Sequence, residues 1–120
     1  MSTEDIGKID LATQALVEAL TQSEAYRAYS ANKQAVLEND VTRSLYSQYS
    51  RLLFAVQADT VAGRENEAQK KQLQQYYDML IFDESAYEFI MAEHRLQDLM
   101  GKIYKQLANA VGVDIAHLEE

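Results

Sequence analysis

The stretch FDESAYEFIMAEHRLQDLMGKIYKQLANAV, Phe82–Val111, decides the fold. Its apolar residues Phe89, Leu96, Met100, Ile103, Leu107 and Val111 recur at steps of seven, four, three, four and four. That is the period of one helical face, and Ile90, Leu99 and Tyr104 widen it beyond a narrow coiled-coil seam. A helix of roughly 27 residues is about 40 Å long. A compact sphere of this chain length has a radius of gyration of about 14 Å, hence a diameter near 35 Å. The helix is longer than the ball that would hold it. Either the molecule is elongated, or this helix overhangs and meets a partner.

Outward from that stretch the chain reads as four further helices. Asp83 is placed to cap the long helix, with Phe82 and Tyr87 spaced as a hydrophobic staple; Ser85 with Glu88 offers a competing start. Gly112 closes it and Val113–Glu120 is an acidic tail or a last short turn. Upstream, Ser2 or Thr3 caps a first helix whose face carries Ile6, Ile9, Leu16, Val17 and Leu20, with Glu4 and Asp5 against its dipole. Thr21 and Glu24 fit a capping box that opens a second helix, with Tyr26, Tyr29, Val36 and Leu37 facing in. Asn39-Asp40 interrupts it and starts a third, along which Val41, Leu45, Tyr49, Leu52, Leu53 and Val56 form the stripe. Gly63 ends that helix in a left-handed conformation. Asn66 with Gln69 opens a fourth, bearing Leu73, Tyr76, Tyr77, Leu80 and Ile81, with an ion pair expected from Glu67 to Lys71. The expected helices are about 3–20, 22–37, 41–62, 66–81 and 84–111, with a tail at 113–120, in one helical domain over 1–120. The fold class is all-α: an elongated antiparallel bundle of about five helices with a long C-terminal helix.

Composition agrees and narrows function. Of 120 residues, 48% are hydrophobic and none is Pro or Cys, so the chain can bury one core and carries no disulfide, thiolate metal site or cysteine nucleophile. The first residues lack the basic and apolar regions of a signal peptide, and the apolar run Leu52–Val56 is far short of the roughly 20 residues that span a bilayer. A cytoplasmic protein without membrane insertion is expected. A formal charge of −8 with scattered basic residues argues against direct nucleic-acid binding. It suits solubility, or docking to a basic partner.

Catalytic constellations are missing. With Gly only at 7, 63, 101 and 112, no phosphate-cradling loop can be built. No Ser has a nucleophile-elbow setting, and no Glu-x-x-His pair of the di-iron type occurs; Asp114-x-x-His117 falls in the tail. No catalytic, cofactor or metal residues are assigned, and no cofactor is expected. His94, beside Glu93 and one turn from Asp98, is the one weak ligand candidate, with a surface or interhelical hydrogen bond as its plain reading. Tyr26/Tyr29 and Tyr46/Tyr49 each share a helical face and suit the margin of a core or interface. Gly101 inside the long helix costs about 1 kcal/mol against Ala, which close approach of a second helix would offset. The candidate oligomer interface is therefore Phe89, Leu96, Met100, Gly101, Ile103 and Leu107.

With the helices placed, the chain resembles the bacterial YlbF/YmcA family, in its YheA-like branch. The carrying residues are Ser23-Glu24-x-Tyr26, Asn39-Asp40, Ala62-Gly63-Arg64-Glu65, and above all Met91-Ala92-Glu93-His94-Arg95-Leu96 followed by Leu99-Met100-Gly101-Lys102-Ile103. The resemblance spans about Ile6 to Leu118. It implies long antiparallel helices in a homo-oligomer, acting through protein complexes in RNA processing, competence, sporulation and biofilm formation. Some relatives bind iron–sulfur clusters through cysteines; this chain has none, so that property does not carry over. The expected function is a non-enzymatic regulatory scaffold that binds itself and another protein. The alternative is a small-molecule- or metal-binding bundle with a pocket lined by Tyr and His94.

Overall fold

A polar side chain opens each helix by accepting a hydrogen bond from the amide three residues on. Ser2 serves Asp5, Ser23 serves Tyr26, Asn39 serves Thr42, Asn66 serves Gln69 and Asp83 serves Ala86. The resulting helices are α1 (Thr3–Thr21), α2 (Glu24–Glu38), α3 (Asp40–Val61), α4 (Glu67–Ile81) and α5 (Glu84–Val111). They come from a computed structural model that describes residues 2–113, so Asp114, His117 and most of the expected tail lie outside the described residues. Gly63 and Gly112, both at φ 76°, end α3 and α5 in the left-handed region that favours glycine. In each case the next amide reaches back, from Arg64 to the Asp59 carbonyl and from Val113 to that of Ala108, both at 2.8 Å.

Several local expectations are corrected. Thr21 does not cap α2; its hydroxyl donates back to the carbonyls of Val17 and Glu18 at 3.0 and 3.1 Å, and α1 runs through it. Ser23 takes the cap instead. The staple at α5 does not close, because Phe82 is 89% exposed. The ion pair at the start of α4 uses Lys70, which reaches Glu65 at 3.3 Å and Glu67 at 3.9 Å, rather than Lys71. Leu37 and Val41 face outward, Val41 at 79% exposure, because the Asn39 turn swings the start of α3 across the end of α2.

α3 and α4 form an antiparallel hairpin about Gly63: Val56 and Asp59 neighbour Gln69 and Lys70, while the Tyr49 and Tyr77 rings stand 6.1 Å apart. α2 packs chiefly along α5. Its direction follows from the turn after it. Thr42, one turn into α3, donates its hydroxyl to the Asp83 carboxylate at 2.6 Å, which brings the end of α2 to the start of α5. α2 therefore runs antiparallel to α5. With 15 residues against 28 it covers only the first half of that helix.

The core sits where these pairs meet. Leu80, Ala86 and Ile90 form its centre, with Leu45, Tyr46, Tyr49 and Met91 packed around them. Phe89 is buried beside it, its ring 5.4 Å from Tyr29 and 4.9 Å from Tyr46. Two hydrogen bonds pin α3 to α5 across this core: Thr42 to Asp83, and the Tyr46 hydroxyl to the Glu93 carboxylate at 2.8 Å. Asp83 does double duty as cap and acceptor. The Thr42 hydroxyl and the Ala86 amide together hold its carboxyl below the usual carboxylate range.

Asp83→Ala is expected to destabilise the fold by about 2–4 kcal/mol, from the lost cap plus a buried Thr42 hydroxyl left without its acceptor. Urea unfolding measures it. The lowered pKa also sets a sign: the contribution of Asp83 is complete above its unfolded pKa of about 3.9 and fades as pH falls through the folded value. Asp83→Ala should thus flatten the acid limb of the stability curve.

Candidate protein-interaction surface

The same rules that build the core leave two apolar faces without cover. In α1 the residues Ile6, Ile9, Leu16 and Val17 line one side of the helix, and all are exposed. α1 touches only α2 among the other helices, through the short Gln22–Ser23 link. Nineteen residues of amphipathic helix, about 28 Å, thus project with their apolar side in water.

The second face is the distal half of α5. Beyond the reach of α2 the stripe continues through Met100, Tyr104, Leu107 and Val111, all exposed, with Leu96, Leu99 and Ile103 half-buried at its inner edge. The radius of gyration is 18.3 Å with extents of 49 × 38 × 21 Å, against about 14 Å for a compact chain of this length. The molecule is both elongated and overhung. Because α2 is antiparallel to α5, α1 and the free end of α5 leave the core at the same end, yet do not touch each other.

The six residues expected at an oligomer interface are divided by this geometry. Leu96, Met100, Gly101, Ile103 and Leu107 lie on or beside the open stretch, and a Cβ added at Gly101 would meet nothing within 4 Å. Phe89 does not. It is almost fully buried, packed against Tyr29 and Tyr46 of its own chain. The stripe is continuous in sequence and is split only by where α2 ends.

His94 is exposed, and the neighbouring Glu93 carboxylate is engaged by Tyr46 rather than by the imidazole. Burial, reinforced by Glu93, raises the Tyr46 phenol well above the ordinary tyrosine range, so the pair is a neutral donor on a carboxylate. Burial likewise raises Tyr49, which faces Tyr77. Sequence reasoning missed the Tyr46–Glu93 and Thr42–Asp83 contacts because their partners are 47 and 41 residues apart, with no local signal joining them. A groove of about 330 Å³ opens between Lys33, Leu37, Arg43, Tyr46 and Phe89, without His94. Among the described residues no group of three or more His, Asp or Glu is placed to hold a metal ion. No helix among them is long and apolar enough to cross a membrane.

The distribution of charge on the two open faces differs. α1 carries Glu4, Asp5, Asp10 and Glu18 against a single Lys8, whereas Leu96–Val111 of α5 carries Lys102 and Lys105 against a single Asp98. Among the described residues, neither of these two lysines nor Arg95 takes part in an ion pair within 4 Å.

A small helical core with two open amphipathic faces defines a class: an all-α protein of five helices whose apolar surface is only partly covered by its own chain. The comparisons with known proteins narrow it. The family model described as "Control of competence regulator ComK, YlbF/YmcA" matches residues 9–112, and the chain belongs to this YlbF/YmcA family. It is 29% identical over 101 residues to the UPF0342 protein STH1710 of Symbiobacterium thermophilum, covering 83% of this chain and 90% of that one. The fold is similar to the crystal structure of Bacillus subtilis RicA in complex with RicF, with a TM-score of 0.60 at 16% identity over 88% of this chain and 94% of that chain.

Proposed function

We propose that this protein is a non-enzymatic regulatory scaffold of the bacterial cytoplasm, a homo-oligomer that binds another protein through its exposed helical faces. The observation that carries the reading is the pair of uncovered apolar faces, on α1 and on distal α5, attached to a core of few buried side chains. Exposed apolar patches of this length mark interaction sites in soluble proteins. The family's description as control of a competence regulator supports a regulatory role, and the crystallised RicA–RicF pair supports a protein partner. RNA processing, competence and biofilm development are the processes that the family resemblance implies. The scattered basic residues and net charge of −8 favour protein over nucleic acid as that partner.

The groove between Lys33, Leu37, Arg43, Tyr46 and Phe89 favours one second reading, a small-molecule-binding bundle. Native mass spectrometry of the protein purified under mild conditions separates the two. The scaffold reading expects an oligomer, with or without a protein partner, and no retained small molecule. A monomer carrying a stoichiometric ligand would overturn it in favour of the second.

A further inference from the structure

We infer that α1 of one chain seats on the distal stripe of α5 in a second copy, and the reverse, so that a two-fold dimer holds two α1/α5 pairs. The inference rests on the homo-oligomer part of the proposed function and adds which faces meet.

Four properties favour this pairing. The lengths match: α1 has 19 residues, and the α5 stretch from Leu96 to Val111 has 16, or about 28 and 24 Å. Both faces are apolar and uncovered in the single chain. Their charges are complementary. By helical spacing Asp5 and Asp10 border the α1 stripe on its two sides, while Arg95 and Lys102 border the α5 stripe along its Leu99 edge. Pairing two copies of α1 would instead place like charges together, as would an antiparallel pairing of two copies of α5 along the Leu99 edge.

The fourth property is area. Each copy exposes eight large apolar side chains on the two faces: Ile6, Ile9, Leu16 and Val17 on one, Met100, Tyr104, Leu107 and Val111 on the other. At roughly 100 Å² still exposed on each, reciprocal pairing buries up to about 1,600 Å² over both copies, within the range of a standard stable interface. Using one face alone would bury about half of that.

The absence of cysteine makes the test direct. One preparation carries a single cysteine on α1, as Ile9→Cys, Thr13→Cys or Leu16→Cys. A second, of different tag size, carries one on α5, as Met100→Cys, Ile103→Cys or Leu107→Cys. The two are mixed, allowed to exchange and oxidised. At least one α1/α5 combination should cross-link most of the mixed dimer, above the α1/α1 and α5/α5 products of the separate preparations. An oligomer that gives only like-with-like cross-links, or none, overturns the pairing while leaving the homo-oligomer standing. Cross-linking that appears only when both cysteines share one chain means that α1 folds back on its own α5, which also overturns it. A monomer at every concentration removes the homo-oligomer and the pairing together. A charge swap gives an independent readout. Asp5→Lys with Asp10→Lys should weaken the dimer at least tenfold, and mixing with Arg95→Glu plus Lys102→Glu should restore it; no restoration counts against the pairing.

Discussion

Leu107→Asp is expected to convert the assembled protein into a monomer without unfolding it. Leu107 is 57% exposed in the single chain, so little of the fold's own stability rests on it. In the isolated chain the substitution costs helix propensity of up to about 0.7 kcal/mol and places a negative charge toward the negative end of α5, a further cost of about 0.3–1 kcal/mol. In an interface the same change removes a buried Leu and buries a carboxylate without a partner. That is the setting in which single substitutions cost about 2–4 kcal/mol or more. A two-fold dimer feels it twice, so association should weaken by about a thousandfold or more. The helical circular dichroism spectrum should remain while the mass halves. Leu11→Asp is the control: Leu11 is also exposed but lies on the side of α1 away from its apolar stripe, and its replacement should leave the mass unchanged. An unchanged mass for Leu107→Asp would take the distal stripe out of the interface.

Leu80→Ala has the opposite signature, a large loss of stability with no direct effect on the faces. Leu80 is fully buried at the junction of α4 with α3 and α5, against Ala86 and Ile90. Truncating a buried Leu removes transfer free energy and leaves a cavity, together about 2–5 kcal/mol. The upper half of that range is expected here, because Ala86 and the backbone around the Asp83 turn cannot collapse into the space. A chain of this size has about 5–15 kcal/mol in total, so the variant loses a large share. Urea unfolding at one fixed protein concentration should show a lower midpoint with an unchanged slope. A loss under about 1 kcal/mol would mean that the Leu80–Ile90 cluster is not the centre of the core.

The contrast between these two leucines shows what could be read from sequence. Helix starts were legible at Asn39, Asn66 and Asp83 because capping is a local matter of one side chain and one amide three residues away. The long α5 and its apolar stripe were legible for the same reason, since period is local. What covers each part of a stripe is not local. Phe89 and Leu107 lie on one continuous face of α5, yet Tyr29 and Tyr46 bury the first and leave the second open. Leu37 and Val41 fit their helical patterns and still point outward, because the angle set at Asn39 decides which side meets α5. The Tyr46–Glu93 bond, which withdraws Glu93 from His94, could be seen only once α3 lay across α5.

The same division holds for the candidate surface. Sequence period located the apolar stripes of both α5 and α1, but it does not say which of them the rest of the chain covers. The exposure of α1 is a consequence of topology: α1 leaves the molecule at the end where α2 begins, beyond the core built by α3, α4 and the first half of α5. Multi-angle light scattering across a hundredfold concentration range, starting at micromolar protein, measures self-association of the unaltered chain. Self-association through the open faces predicts a dimer or larger species that persists toward the dilute end; a monomer of 13.6 kDa throughout would contradict it.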